Sequence, residues 1–196
     1  MNTEFEVKFV NVDHETLRAK LKDLGATLEH PMRLMKRAII ETPLLKQKDA
    51  FLRVRDEGDK TTLTYKQFQD LSVDGAKEFE IVVSDFQTTI DLLNVSGLPC
   101  RSIQESKRET WELDSAEVVL DEWPWLNPYI EIEGKSEKHV REVAAKLGFD
   151  WNAAVFGDVM AAYRVQYPHL KLEDTVGNIA EVKFGDPLPS LFMNKE

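Results

Sequence analysis

The chain has 196 residues, 42% of them hydrophobic, and a formal charge of −10 at neutral pH. That length can bury one sizeable core, so a single domain over 1–196 is expected, and the acidic balance argues against broad nucleic-acid or anionic-membrane binding. No apolar run is long enough to span a membrane and no leader-like segment opens the chain, which predicts a cytoplasmic protein; the lone Cys100 excludes an internal disulfide and a cysteine-based zinc site and reads as a buried, inert thiol.

The first ten residues, MNTEFEVKFV, alternate Glu4, Glu6 and Lys8 with Phe5, Val7 and Phe9, the period of a strand with two unlike faces over 3–11. Asp13-His14-Glu15-Thr16 starts a helix whose stripe of Leu17, Leu21 and Leu24 stops at Gly25. A strand over 33–41 ends at Thr42-Pro43, and FLRVRDEGDKTTLTYKQ reads as a hairpin turning at Asp56-Glu57-Gly58-Asp59. KEFEIVV is a further strand, after which Ser84-Asp85 caps a helix running through Leu92-Leu93 to Gly97. KRETWEL, EVVLDEW and NPYIEIEG are three more strands, with Asn127 in the turn role before the last. Ser136-Glu137 then caps a helix ending at Gly148. A short helix fits 156–166, the tail after about 167 is poorly defined, and residues 180–184 are strand-like.

About eight strands with interleaved helices predict an α+β fold, an eight-stranded antiparallel β-barrel with helices packed outside. The polar faces decide what such a barrel holds. Glu4-x-Glu6-x-Lys8, Arg53-x-Arg55, Lys66, Glu78-x-Glu80, Arg108, Asp121 and Glu131-x-Glu133 each alternate with apolar neighbours. A sheet with one solvated face gives the same alternation. Repeated Glu-x-Glu pairs put like charges side by side, however, and acids and bases segregate by strand. Both features fit an inverted arrangement: Phe5, Val7, Leu52, Val54, Phe79, Ile81, Ile130 and Ile132 pack beneath helices, and the charges line a tunnel. Carboxylates crowded there call for hard cations, and oxygen ligands without His or Cys suit Mg²⁺ or Mn²⁺. Lys8, Arg53, Arg55, Lys66 and Arg108 call for an oxygen-rich anion such as a polyphosphate.

EFEVK resembles the Glu-x-Glu-x-Lys signature of the CYTH superfamily, the triphosphate tunnel metalloenzymes. LRVR, the Lys of TYK, the Glu pair of KEFEI, the Arg of SKRE, the Asp of VVLDEW and the Glu pair of YIEIEG follow in the family's order over roughly the first 135 residues. The resemblance implies that Lys8, Arg53, Arg55, Lys66 and Arg108 hold a small-molecule triphosphate. It implies that Glu4, Glu6, Asp121, Glu131 and Glu133 manage divalent ions, that Glu78 and Glu80 support the metal or the basic side chains, and that Glu4, Glu6 and Lys8 are catalytic positions. Alternation favours Arg108 over Lys107 as the lumen base, and a one-residue slip exchanges them. Lys183 either reaches the tunnel or, as the plainer reading has it, is an exposed strand-end lysine. No motif reads as adenine recognition; Trp111, Trp123, Trp125 and Tyr129 fit packing better than base stacking. Hydrolysis of a triphosphate is therefore the expected activity, with class IV adenylyl cyclisation of ATP as the alternative and a non-catalytic polyphosphate binder as a third. A monomer and a homodimer both fit, and the four histidines receive no role.

Overall fold

The structure, a computed structural model, describes residues 1–193, and these described residues form nine strands and five α-helices. In chain order they are β1 (Asn2–Val10), α1 (His14–Asp23), β2 (Thr27–Ile40), α2 (Pro43–Lys46), β3 (Ala50–Asp56), β4 (Thr61–Phe68), β5 (Ala76–Val83) and α3 (Phe86–Val95). There follow β6 (Cys100–Leu113), β7 (Ala116–Trp123), β8 (Leu126–Gly134), α4 (Glu137–Leu147), α5 (Val159–Gln166) and β9 (Glu181–Val182). The sheet runs β2-β3-β4-β5-β1-β8-β7-β6-β9, and antiparallel pairing of β2 with β6 closes the first eight strands into a barrel. The ninth strand pairs in parallel with β6 through Ile103↔Glu181 and Gln104↔Val182. The barrel and its outer helices are those the alternation predicts.

Helix boundaries follow local chemistry. Asp13, Asp85 and Ser136 accept hydrogen bonds from the backbone N–H groups of Thr16, Thr88 and His139, satisfying donors that the first helical turn leaves free. Gly148 closes α4 at φ 83°, a left-handed conformation that a side chain would strain. Outside the barrel, α1 and α4 bury Leu17, Leu21, Val140, Val143 and Leu147 against Val7, Phe9, Ile130 and Ile132. Burying such side chains contributes on the order of 2 kcal/mol each, so this layer holds β1 and β8 in place. A second cluster, with Trp123, Met160, Tyr163, Leu170, Val176, Val182 and Phe192, packs the chain after 167 onto the barrel.

Several expectations are corrected. Phe79 and Ile81 are 58% and 59% exposed rather than covered. The reason is the path of α3, which crosses back to pack Ile90, Phe86 and Leu93 with Val54 and, on β4, Leu63, and leaves the outer side of β5 bare. β2 starts at Thr27 and β6 at Cys100, well before the strands expected at 33 and 107. Pro31 and two register shifts before Arg33 interrupt the alternation of early β2, and Ser102, Gln104 and Ser106 make early β6 look like a loop although they face inward. Trp125, at φ 63°, takes the turn between β7 and β8, while Asn127 lies within β8. Cys100 is only partly buried, and burial raises its thiol pKa.

Candidate active site

Because side chains alternate along each strand, one parity of all eight barrel strands points inward. A cavity of about 350 Å³ results, lined by Glu4, Glu6, Lys8, Arg37, Arg53, Arg55, Lys66, Glu78, Glu80, Arg108, Glu131 and Glu133, among others. Asp121 is buried behind it at 1% exposure. All twelve positions singled out in the sequence therefore converge on one interior, although they span residues 4 to 133.

Cations dominate the β2–β3–β6 side. Arg37 and Arg55 are direct cross-strand partners, and both are buried. Burial, then the neighbouring charges of Arg53 and Arg108, lowers the Arg37 pKa to about 10. The same causes, burial followed by Arg53, Arg37 and Arg108, hold Arg55 well below its ordinary value. The Nε atoms of Arg37, Arg53 and Arg55 are buried without a hydrogen-bond acceptor. Arg37 donates to Ser106 Oγ at 3.1 Å and its guanidinium lies 4.3 Å from the centre of the Trp123 ring. Such a crowd of desolvated guanidiniums is costly until an anion supplies acceptors and opposite charge.

Acids crowd the opposite wall. Glu6 and Glu133 are cross-strand partners on β1 and β8, and Glu133 faces Glu117 on β7. Burial, then the charges of Glu4, Glu117 and Glu6, pushes the Glu133 carboxyl up to about 8. Burial and Glu4 raise Glu78 to about 7. Glu80 accepts from Thr64 Oγ1 at 2.8 Å and lies 3.5 Å from Arg53.

Between the walls, acids and bases pair. Lys66 Nζ lies 2.6 Å from Glu4 and 3.4 Å from Glu6. Lys8 Nζ donates to Glu6 Oε1 at 3.2 Å and to Gly157 O at 2.6 Å, and lies 3.3 Å from Glu131. Burial opposes every one of these charges. Lys8 and Lys66 nevertheless hold Glu6 below the ordinary carboxyl value, and Glu131 and Glu6 hold Lys8 above the ordinary ammonium value. Glu131 is likewise held low, against burial, by Lys8 and Arg108. Arg108 faces the lumen and binds Asp121 and Glu131. Lys107 points outward, 42% exposed, to Glu122. Lys183 is also outside, paired with Glu181 at 2.6 Å. Trp111 is core, whereas Trp123 and Tyr129 line the cavity.

Sequence reasoning missed Arg37, Arg33, Glu117, His30 and Asp158, all of which line the cavity. Arg33 and Arg37 share parity, a detectable signal, but Met35 and Ile39 alternate into the same face and disguise it. Asp158 caps α5 beyond the last alternating strand, so no local pattern announces it.

The residues fit a divalent cation by their chemistry. Glu133 and Glu78 are carboxyls whose charge burial and then neighbouring acids suppress, and all the donors are hard oxygens. Among the described residues no three His, Cys, Asp or Glu side chains already converge in ion-holding geometry, so substrate oxygens would have to complete the coordination. No helix of the described residues is long and apolar enough to cross a membrane.

A family model described as the CYTH domain matches residues 2–153. No curated protein matches the chain. Among solved structures, a Pyrococcus horikoshii OT3 protein superposes with a TM-score of 0.67 at 24% identity, over 77% of this chain and 93% of its own. A candidate adenylate cyclase from Vibrio parahaemolyticus reaches 0.71 at 11% identity, covering 83% and 98%. A Hippeastrum candidate adenylyl cyclase with a dominant triphosphatase activity reaches 0.55 at 17%, covering 83% and 96%. At these identities the likeness is one of fold.

Proposed function

The chain belongs to the CYTH family, and from that premise we propose that it is a divalent-metal-dependent triphosphatase. One observation carries the reading: buried Arg37, Arg53 and Arg55, with the partly buried Arg108, face a wall of Glu4, Glu6, Glu78 and Glu133 across one lumen. A polyphosphate satisfies the guanidiniums, whose forked N–H donors match phosphate oxygens. A divalent ion satisfies the acids. Glu4, Glu6 and Glu133 would hold Mg²⁺ or Mn²⁺, which would neutralise charge and polarise a phosphoryl oxygen.

The protein's own groups then do the rest. Arg37, Arg53, Arg55 and Lys66 bind and orient the chain of phosphates. Lys8 sits between Glu6 and Glu131 and holds both ionised. Asp121 and Glu131 fix the direction of the Arg108 guanidinium toward phosphate, and join the cation's ligands only if Arg108 turns to substrate. Water attacks the terminal phosphorus, the bond to the bridging oxygen breaks, and the water's proton passes to an ionised carboxylate of the acidic wall among Glu4, Glu6 and Glu133. Orthophosphate and a diphosphate leave.

The test is product analysis with tripolyphosphate, thiamine triphosphate and ATP, each with Mg²⁺ and with Mn²⁺. Orthophosphate release supports the reading. Cyclic AMP with pyrophosphate would assign the chain to class IV cyclisation instead, and binding without turnover would make it a polyphosphate-binding module.

A further inference from the structure

Four of the arginines that line the tunnel have a carboxylate beside them. Arg33 lies 3.2 Å from Glu57, Arg53 3.5 Å from Glu80 and Arg55 3.9 Å from Glu57, while Arg108 binds Asp121 and Glu131. Arg37 is buried, yet among the described residues no carboxylate oxygen lies within 4.0 Å of its nitrogens. What holds it is neutral. Its Nη2 donates to Ser106 Oγ at 3.1 Å, and its guanidinium carbon stands 4.3 Å from the centre of the Trp123 ring.

Trp123 is fixed from two directions. On β7 it shares a face with Asp121, so one strand anchors two arginines: Asp121 takes Arg108 from the adjacent β6, and Trp123 reaches Arg37 on β2 beyond it. The chain beyond the family-matched segment packs the other side. Tyr163 meets the indole edge-on at 86° with ring centres 6.5 Å apart, Tyr163 Oη donates to Pro124 O at 2.6 Å, and Phe192 stacks on Tyr163 at 5.0 Å. At 3% exposure the indole is locked by this packing, which sets the plane on which the guanidinium rests.

A carboxylate beside a guanidinium neutralises it and competes with phosphate for the same N–H donors. A ring face attracts the cation through its quadrupole and orients it, but accepts none of the donors at its edge and cancels none of its charge. We infer that Trp123 is a positioning residue for the bound phosphate chain: its ring holds Arg37 in place of an acid, so that this guanidinium meets phosphate without first releasing a carboxylate. The inference rests on the polyphosphate reading of the tunnel and adds to it a residue that acts through Arg37.

Calorimetry with tripolyphosphate in metal-free buffer compares the wild type with Trp123→Phe, Trp123→Leu, Arg37→Met and the Arg37→Met/Trp123→Leu double variant. Trp123→Leu should weaken binding about 5-fold or more, and Trp123→Phe, which keeps a ring face, by less than about 2-fold. Once Arg37→Met has removed the guanidinium, Trp123→Leu should change affinity by less than about 2-fold, whereas a residue that only packs the core would weaken binding equally in both backgrounds. If Trp123→Leu does not fold, NMR of the wild type decides. The Arg37 Nε–H signal, assigned by its loss in Arg37→Met, should be displaced by the ring current of Trp123 and should move when tripolyphosphate is added. A signal at its ordinary position, a signal that ignores tripolyphosphate, equal weakening in both backgrounds, or no weakening by Trp123→Leu overturns the inference and leaves the tunnel reading standing. A wild type that binds no tripolyphosphate overturns both.

Discussion

Arg108 on β6 and Asp121 on β7 are cross-strand partners joined by two parallel hydrogen bonds, Nε to Oδ1 at 2.7 Å and Nη2 to Oδ2 at 2.5 Å. A second acid, Glu131, accepts from Nη2 at 2.7 Å. The guanidinium is thus aimed by two strands at once, a geometry that Lys could not reproduce.

Asp121→Asn should weaken both stability and phosphate binding. Removing one partner of a buried pair leaves a charge without its counterpart, at a cost of about 3–5 kcal/mol. Because Glu131 remains, the lower end of that range is expected in urea unfolding. The same variant should raise KM more than it lowers kcat, since a misaimed Arg108 loses binding.

Arg55→Ala should separate stability from function. Burial and three neighbouring guanidiniums disfavour the Arg55 charge, so its removal relieves repulsion and raises the melting temperature of the ligand-free protein. Triphosphate affinity should fall at least about 10-fold, the loss of a charge-assisted contact of about 1.5–3 kcal/mol. Thermal shifts with and without tripolyphosphate check both signs. A variant that melts lower without ligand would contradict the account of a strained basic cluster.

Glu133 gives the pH dependence its sign. Its folded pKa of about 8 lies above the ordinary 4.5, so between those values the native state keeps a proton that the unfolded chain has released. Stability therefore falls as pH rises through that window. Glu78, raised to about 7, adds in the same direction. In metal-free buffer the urea midpoint should drop from pH 5 to pH 9, and Glu133→Gln should flatten the slope. Added Mg²⁺ should recover stability most at high pH, where it no longer competes with the proton.

Glu6→Gln should reduce turnover and shift the metal requirement while the barrel stays folded. The substitution keeps the shape but removes the charge that holds Lys8 and Lys66. Higher Mg²⁺ or Mn²⁺ concentrations should be needed for half-maximal rate. Unchanged metal dependence would remove Glu6 from the ion's ligands.

The sequence by itself determined which side chains share a face. The two-residue period binds Glu4 to Glu6 and Lys8, and Arg53 to Arg55, whatever the sheet does, and the resemblance in EFEVK, LRVR and YIEIEG set their order. Helix starts at Asp13, Asp85 and Ser136 were legible because capping is a local bond between a side chain and an amide a few residues ahead. Only the closed barrel decided the rest, because closure depends on pairing between strands far apart in the chain, such as β2 with β6. Pairing of β2 with β3 sets Arg37 opposite Arg55 and the closing pairing with β6 sets it opposite Gln104, which no short window of residues encodes. It also sets which carboxylates find a cation: Asp121 and Glu131 meet Arg108, while Glu133 meets other acids and keeps its proton. The coverage of Phe79 and Ile81 was undecidable locally as well, since an apolar strand face reads alike whether or not a distant helix turns toward it.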